Sequence, residues 1–457
     1  MSGAPDLVAL ASAIARGDIS AETAVTDALL RAETWQPRIN AFVAIEGEAA
    51  LARARAADRR RGAGDPLAPL HGVPIAIKDM FDRRDRRPGC GAGPGGAETG
   101  LPDAALVSRL ERSGAIVIGA LNMTEYALGL TGHNDHIGDC TNPWDTTRVT
   151  GGSSSGPAAA VAARIVPAAI GSDTGASIRL PAAWCGVAGL KPTHGAVDAS
   201  GAMPMSFTLD AIGPLATSCR GVARLMDAIA QGPGAGGCAT RLTGDIRGLR
   251  IGVVRGYFGD GLDDGVAVAI DAAIQVLRGR GAIVDVADIG CADLARRLHR
   301  LMMAAEAASL HARALEAAPE GFTAEVRYRL ELGRRVPALA YLAASRGRAR
   351  LLRGFLAESF GARDALLTAL VPRPAPPRDA TRFGAPGFRA ELLADIPKRT
   401  QPISYLGLPA LALPCGFVDG LPVGLQLVGR PFDEATLLAI GDAYERDTDW
   451  HRRAPAP

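Results

Sequence analysis

The chain alternates between stretches with helical spacing and short apolar runs. Residues 6–34 and 44–62 repeat apolar positions at helical spacing, with acidic and basic residues on the remaining faces. Leu70 to Ile77 (LHGVPIAI) reads as a turn leading into a short strand, and Lys78 follows it directly. Residues 104–113 predict a helix, and Ala115 to Ile118 a strand after the stop at Gly114. LRIGVV (249–254) and AIVDVA (282–287) read as strands flanking a helix over 264–280. Residues 292–370 read as mostly helical and rich in Arg. ALALPCGF (410–417) and PVGLQLVG (422–429) predict two more strands, with a helix over 433–446. This alternation predicts an α/β architecture. No repeat of fixed period interrupts it.

The polar stretches carry the punctuation. Residues 131–156 have loop composition and end in Gly151-Gly152-Ser153-Ser154-Ser155-Gly156, before an Ala-rich helical stretch. Gly171 to Ser177 reads as a second glycine-rich turn. Residues 231–245 and the Pro-rich run 372–386 read as loops, and the closing APAP as a frayed tail.

Composition changes the picture in three places. A chain of 457 residues, 48% hydrophobic and 21% charged, has enough apolar material for a large core. A net charge of +2 implies neither a nucleic-acid nor a membrane partner. The N-terminus lacks the basic and apolar regions of a signal peptide, and no apolar run reaches the ~18–20 residues that span a bilayer. Seven cysteines, an odd number without a CxxC pair, argue against a metal site or disulfide framework and for a reducing, cytoplasmic setting.

Of 50 Lys+Arg, only Lys78, Lys191 and Lys398 are lysines. A GC-rich coding sequence explains the bulk trend. Arg cannot readily lose its proton, so a retained Lys is a candidate for proton chemistry or tight packing. Lys191 is expected to pack and Lys398 to lie at the surface.

The hexapeptide Gly151–Gly156 alone leaves several readings open. It could cradle an anion at a helix N-terminus, although no Gly-Lys-Ser/Thr follows. It matches the G-x-S-x-G elbow with Ser154 central, which needs a histidine base; His194, His299, His311 and His451 are candidates without distinguishing context. It could also be only a flexible turn.

The next residues narrow this. From Gly151 to Ala182 the chain reads GGSSSGPAAAVAARIVPAAIGSDTGASIRLPA, which resembles the signature of the amidase signature family from end to end. WCGVAGLKPTHG (184–195) continues the likeness, and HGVPIAIKDMF (71–81) resembles the family's lysine segment. GLPALALPCGF and GLPVGLQLVGRPFDEATLL resemble its C-terminal part, so the likeness covers nearly the whole chain and is weakest between about 235 and 395.

The resemblance implies roles and a fold. Ser177 matches the nucleophile, Ser153 the relay serine that follows a cis peptide bond, and Lys78 the general base. The N–H groups of Thr174, Gly175, Ala176 and Ser177 match the oxyanion hole. Asp173 and Arg179 match bracing positions; Ser154 and Ser155 flank the relay and are expected to hydrogen-bond around it. Tyr126, within Asn122–Leu128, is expected on the pocket wall. The implied fold is one α/β domain over 1–457, a large mixed twisted sheet between layers of α-helices. Its signature core covers about 70–220 and a more variable helical region about 290–370. No cofactor or metal is implied.

The physical logic agrees. A serine hydroxyl needs a base to become nucleophilic. A lysine serves as one only when burial favours its neutral form. The activity that the resemblance implies is hydrolysis of small amides, anilides or carbamates. Esters and urea-derived substrates pass through the same kind of oxyanion. Two departures stand out. Ala176 replaces a frequent Gly, which would cost about 1 kcal/mol if φ were positive there. The C-terminal third is most similar to the A subunit of glutamyl-tRNA amidotransferases, which implies an alternative role as the glutaminase component of such an enzyme. Those proteins hold the glutamine amine with an Asp where this chain has Pro397, and Asp395 is two residues out of register.

Overall fold

The computed structural model describes residues 6–93 and 102–456; Pro457 of the expected tail lies outside them, as do the first five residues and the side chain of Leu393. Among the described residues, thirteen strands form. They are β1 (Phe42–Ile45), β2 (Pro74–Lys78), β3 (Ile116–Leu121), β4 (Thr141–Asn142), β5 (Asp145–Val149), β6 (Ala168–Asp173) and β7 (Ala188–Lys191). β8 (Ala211–Ala216), β9 (Arg250–Val254), β10 (Ile283–Ala287), β11 (Ala365–Ala369), β12 (Ala410–Val418) and β13 (Leu421–Gly429) follow. Eleven of them build one mixed sheet in the order β1-β3-β2-β6-β8-β7-β12-β13-β11-β9-β10. Helices flank it, as the α/β reading anticipates.

The central strands β2, β6, β7 and β8 are buried at every position, so they read as apolar runs without alternation, broken only by the polar C-terminal ends of β2, β6 and β7. β2 and β6 run parallel with Ile77 opposite Ile170. Their C-terminal ends therefore emerge side by side, and Lys78 ends one while Ser172 and Asp173 end the other. β6 and β8 are antiparallel with Asp173 opposite Ala211, which sets Asp210 beside Thr174.

Several expected elements differ. The helix over 6–34 is two helices, Leu7–Arg16 and Ala21–Ile39. Gly17 ends the first at φ 82°, and Ser20 caps the second by accepting from the N–H of Thr23. The loop 131–156 contains the β4–β5 hairpin. Residues 171–173 belong to β6 and not to a turn. The region 292–370 is helical over Ala292–Ala317, Ala324–Gly333 and Ala338–Phe355, but it ends in β11, which lies between β13 and β9. No helix among the described residues is long and apolar enough to cross a membrane.

Candidate active site

Lys78 is fully buried at the end of β2. Its Nζ donates to the hydroxyl oxygens of Ser153 at 2.7 Å and Ser172 at 2.8 Å. Burial lowers its pKa from 10.5 to about 7, against the opposing pull of Asp210, Asp173 and Cys90. Lys191 is shifted to about 7 as well, by burial and then by Arg179. Its Nζ donates to the backbone oxygen of Pro192 at 2.8 Å and, among the described residues, to no hydroxyl. A depressed pKa thus does not single out a base; the partners do. Lys398 is partly exposed, 3.6 Å from Asp260 and over the ring of Tyr257.

Ser153 follows a cis peptide bond from Gly152. Its carbonyl accepts from the N–H of Thr124 at 3.3 Å, and the N–H of Gly152 donates to Leu130 at 2.9 Å, which fixes the turn. Ser154 joins the two serine loops: its N–H donates to the carbonyl of Ser177 at 3.2 Å. Its hydroxyl donates to the carbonyl of Ser172 at 3.1 Å and accepts from the N–H of Ser172 at 3.2 Å. That hydroxyl is committed to the end of β6, and among the described residues no histidine bonds to it. The elbow reading centred on Ser154 is therefore wrong. Ser155 does not bond around Ser153; its hydroxyl reaches the carbonyl of Asn122 at 3.5 Å.

Ser177 sits after the turn Thr174–Ala176 and before the helix Arg179–Cys185, and is buried. Asp173 and Arg179 brace this turn. Arg179 donates from Nε to Oδ2 and from Nη2 to Oδ1, both at 2.9 Å, and Asp173 also accepts from the N–H groups of Ile178 and Arg179. The remaining guanidinium donors go to Gln426, Ser404 and the carbonyl of Thr400. Arg179 is thus not available to a substrate carboxylate. Among the described residues no hydrogen bond engages the N–H groups of Thr174, Gly175, Ala176 or Ser177, nor the hydroxyl of Ser177. Ser153 and Ser177 are accordingly not hydrogen-bonded to each other here. The strain anticipated at Ala176 does not arise, because its φ is not positive.

The segment after β3 meets the serine loop at Thr124, whose N–H donates to Ser153. Tyr126 has φ 46° and ψ 28°, and its N–H donates to the carbonyl of Cys90 at 2.8 Å. Its ring packs on His311 at 4.3 Å and Phe322 at 5.6 Å between centroids. Sequence reading missed Ser172 and Asp210. Asp210 accepts from the hydroxyl of Thr174 at 2.5 Å and from the N–H groups of Met205 and Ser206 at 2.9 Å. The signal for Ser172 was its place beside Asp173, legible only once 168–173 is taken as a strand parallel to β2. Among the described residues no cluster of His, Cys, Asp or Glu is arranged to hold a metal ion.

Comparison with known proteins places this geometry in context. A family model described as Amidase matches residues 23–438. The A subunit of the glutamyl-tRNA(Gln) amidotransferase from Chloroflexus aggregans is 41% identical, over 97% of this chain and 96% of the relative. A solved chain from a vestigial protein complex, studied for the origins of an s-triazine catabolic enzyme, superposes with a TM-score of 0.90 at 35% identity, covering 97% of this chain and 98% of that one. The peptide amidase of Stenotrophomonas maltophilia superposes with a TM-score of 0.85 at 28% identity, over 99% and 98% of the two chains.

Proposed function

The chain belongs to the amidase family, and from that premise we propose that it hydrolyses the C–N bond of a small amide through an acyl-enzyme on Ser177. Lys78, uncharged in part near neutral pH, takes the proton of Ser153 as Ser153 takes that of Ser177. The Ser177 oxygen attacks the carbonyl carbon, and the oxyanion settles against the N–H groups of Thr174 to Ser177. The proton returns through the same chain to the leaving nitrogen, and water then attacks the ester along the same route. The observation that carries this reading is the buried Lys78 amine, its pKa near 7, at 2.7 Å from Ser153.

The substrate class proposed is a small neutral amide, anilide, carbamate or urea derivative. Support comes from Arg179, whose donors are all taken within the protein. A second reading, a glutaminase that works with a tRNA-modifying partner, is favoured by the 41% identity to the A subunit of an amidotransferase. Against it stands Pro397, buried in the turn Ile396–Arg399, while Asp395 lies near Arg373 and Arg399 at 3.7 and 3.9 Å. The structural relative that came from a protein complex also makes a partner chain worth testing.

The test is turnover by the purified single chain on amides, anilides, carbamates, ureas and glutamine, with Ser177→Ala and Lys78→Ala as controls. Turnover of small amides or ureas, lost in both variants, supports the first reading. Activity on glutamine alone, only with a partner present, supports the second.

A further inference from the structure

The turn that precedes Ser177 is held from behind by a residue outside every motif above. His299, on the helix Ala292–Ala317, is fully buried, and its Nε2 lies 2.9 Å from the carbonyl oxygen of Thr174. A carbonyl oxygen only accepts, so Nε2 carries the proton. Burial lowers the pKa of the ring from 6.5 to about 4, so the imidazole is neutral and Nδ1 keeps a lone pair. Nδ1 has no hydrogen-bond partner among the described residues. Among the described residues the single hydrogen bond of this ring is therefore the one to Thr174.

The carbonyl of Thr174 and the N–H of Gly175 belong to one peptide unit. That unit is planar, and in the trans form its C=O and N–H point in opposite directions. A donor on the Thr174 oxygen polarises the unit and strengthens the Gly175 N–H as a donor on the far side. Two further contacts fix its orientation. The Thr174 hydroxyl donates to Asp210 at 2.5 Å. A Cβ at position 175 would lie 2.9 Å from Cε1 of His299, so the ring packs directly on Gly175 and leaves no room for a larger residue.

We propose that His299 is a positioning residue for acyl transfer: its Nε2–H polarises and aims the Thr174–Gly175 peptide so that the Gly175 N–H stabilises the oxyanion formed at Ser177. The proposal rests on the acyl-enzyme reading above. It assigns a role to a helix far from the serine motifs in sequence, in the region where the family resemblance is weakest.

The experiment measures covalent labelling of the full-length protein by a fluorophosphonate probe, which needs no knowledge of the natural substrate. The label is located by mass spectrometry. His299→Gln keeps an N–H donor at similar reach, and His299→Leu removes it. The expected result is labelling of Ser177 in the parent protein and a rate within threefold in His299→Gln. In His299→Leu the rate falls about tenfold or more, somewhat less than the 10²–10³ lost with a whole oxyanion donor. Melting temperatures of the two variants should match. If the Leu variant does not fold, His299→Asn, whose amide stops short of Thr174, gives the same reading. Labelling of His299→Leu at the parent rate, or an equal loss in His299→Gln, overturns the role of His299 alone. No label on Ser177 in the parent protein overturns the acyl-enzyme reading and this inference with it.

Discussion

Arg179 grips both carboxylate oxygens of Asp173, at 2.9 Å each, with neither side chain exposed to solvent. The pair closes the short loop that holds Thr174 to Ser177 and ties it, through Gln426 and Ser404, to β13 and the helix Gln401–Leu406. Removing one partner strands the other charge in the core. Arg179→Met is expected to destabilise the protein by about 3–5 kcal/mol, measured by urea unfolding, and to remove turnover. A variant as stable as the parent would show that the pair does not hold the loop.

Ser153 and Ser154 are adjacent in sequence and differ in what they touch. Among the described residues the Ser154 hydroxyl bonds only to backbone at the end of β6, so Ser154→Ala should cost about 1 kcal/mol of stability and reduce kcat less than tenfold. Ser153→Ala, which breaks the contact to Lys78, should reduce kcat at least a hundredfold with a similar melting temperature. Steady-state kinetics on both variants checks the contrast. The reverse order would restore the elbow reading.

Lys191 tests whether a lowered pKa alone has consequences for catalysis. Its folded pKa, about 7, lies below the unfolded value of 10.5. Between these values the unfolded chain binds a proton that the folded chain lacks, so stability rises with pH across this window and the effect levels off below about 7. Lys78 contributes a similar slope. Lys191→Met should remove one increment of roughly 1.4 kcal/mol per pH unit from this rise. The pH profile of turnover should stay where it was. A shifted activity profile in Lys191→Met would contradict the assignment of Lys78 as base.

The ring of Tyr126 packs against His311 and Phe322, while its hydroxyl has no hydrogen bond among the described residues. Tyr126→Phe should therefore leave KM within twofold. Tyr126→Ala should raise KM for anilides at least fivefold and cost about 3–5 kcal/mol. Equal effects of the two substitutions on KM would move the role from the ring to the hydroxyl.

The arrangement around the two serines was legible because most of it is local. Ser153, Asp173, Ser177 and Arg179 lie within 32 consecutive residues, and Lys78 directly follows an apolar strand. What was missed depends on pairing across the sheet. Ser172 reads as part of a glycine-rich turn until β6 is placed beside β2, and Asp210 reaches Thr174 only through the β6–β8 register. β11 is a five-residue buried run, apolar except for Thr368, at the end of a helical region, and periodicity cannot tell such a run from buried helix. The break at Gly17 was marked by a glycine followed by a capping serine, and the apolar spacing across it masked the stop. His299 is 125 residues from Thr174, and nothing near it in sequence marks the contact.

The most direct test of the account is the rate of Ser177 labelling by the fluorophosphonate probe between pH 5 and 9. A lysine that must lose its proton to start the reaction predicts a rate that rises about tenfold per pH unit at the acid end. It should level off above an apparent pKa of about 7, and Lys78→Ala should not label. A flat profile, a maximum near pH 5, or full-rate labelling of Lys78→Ala would contradict it.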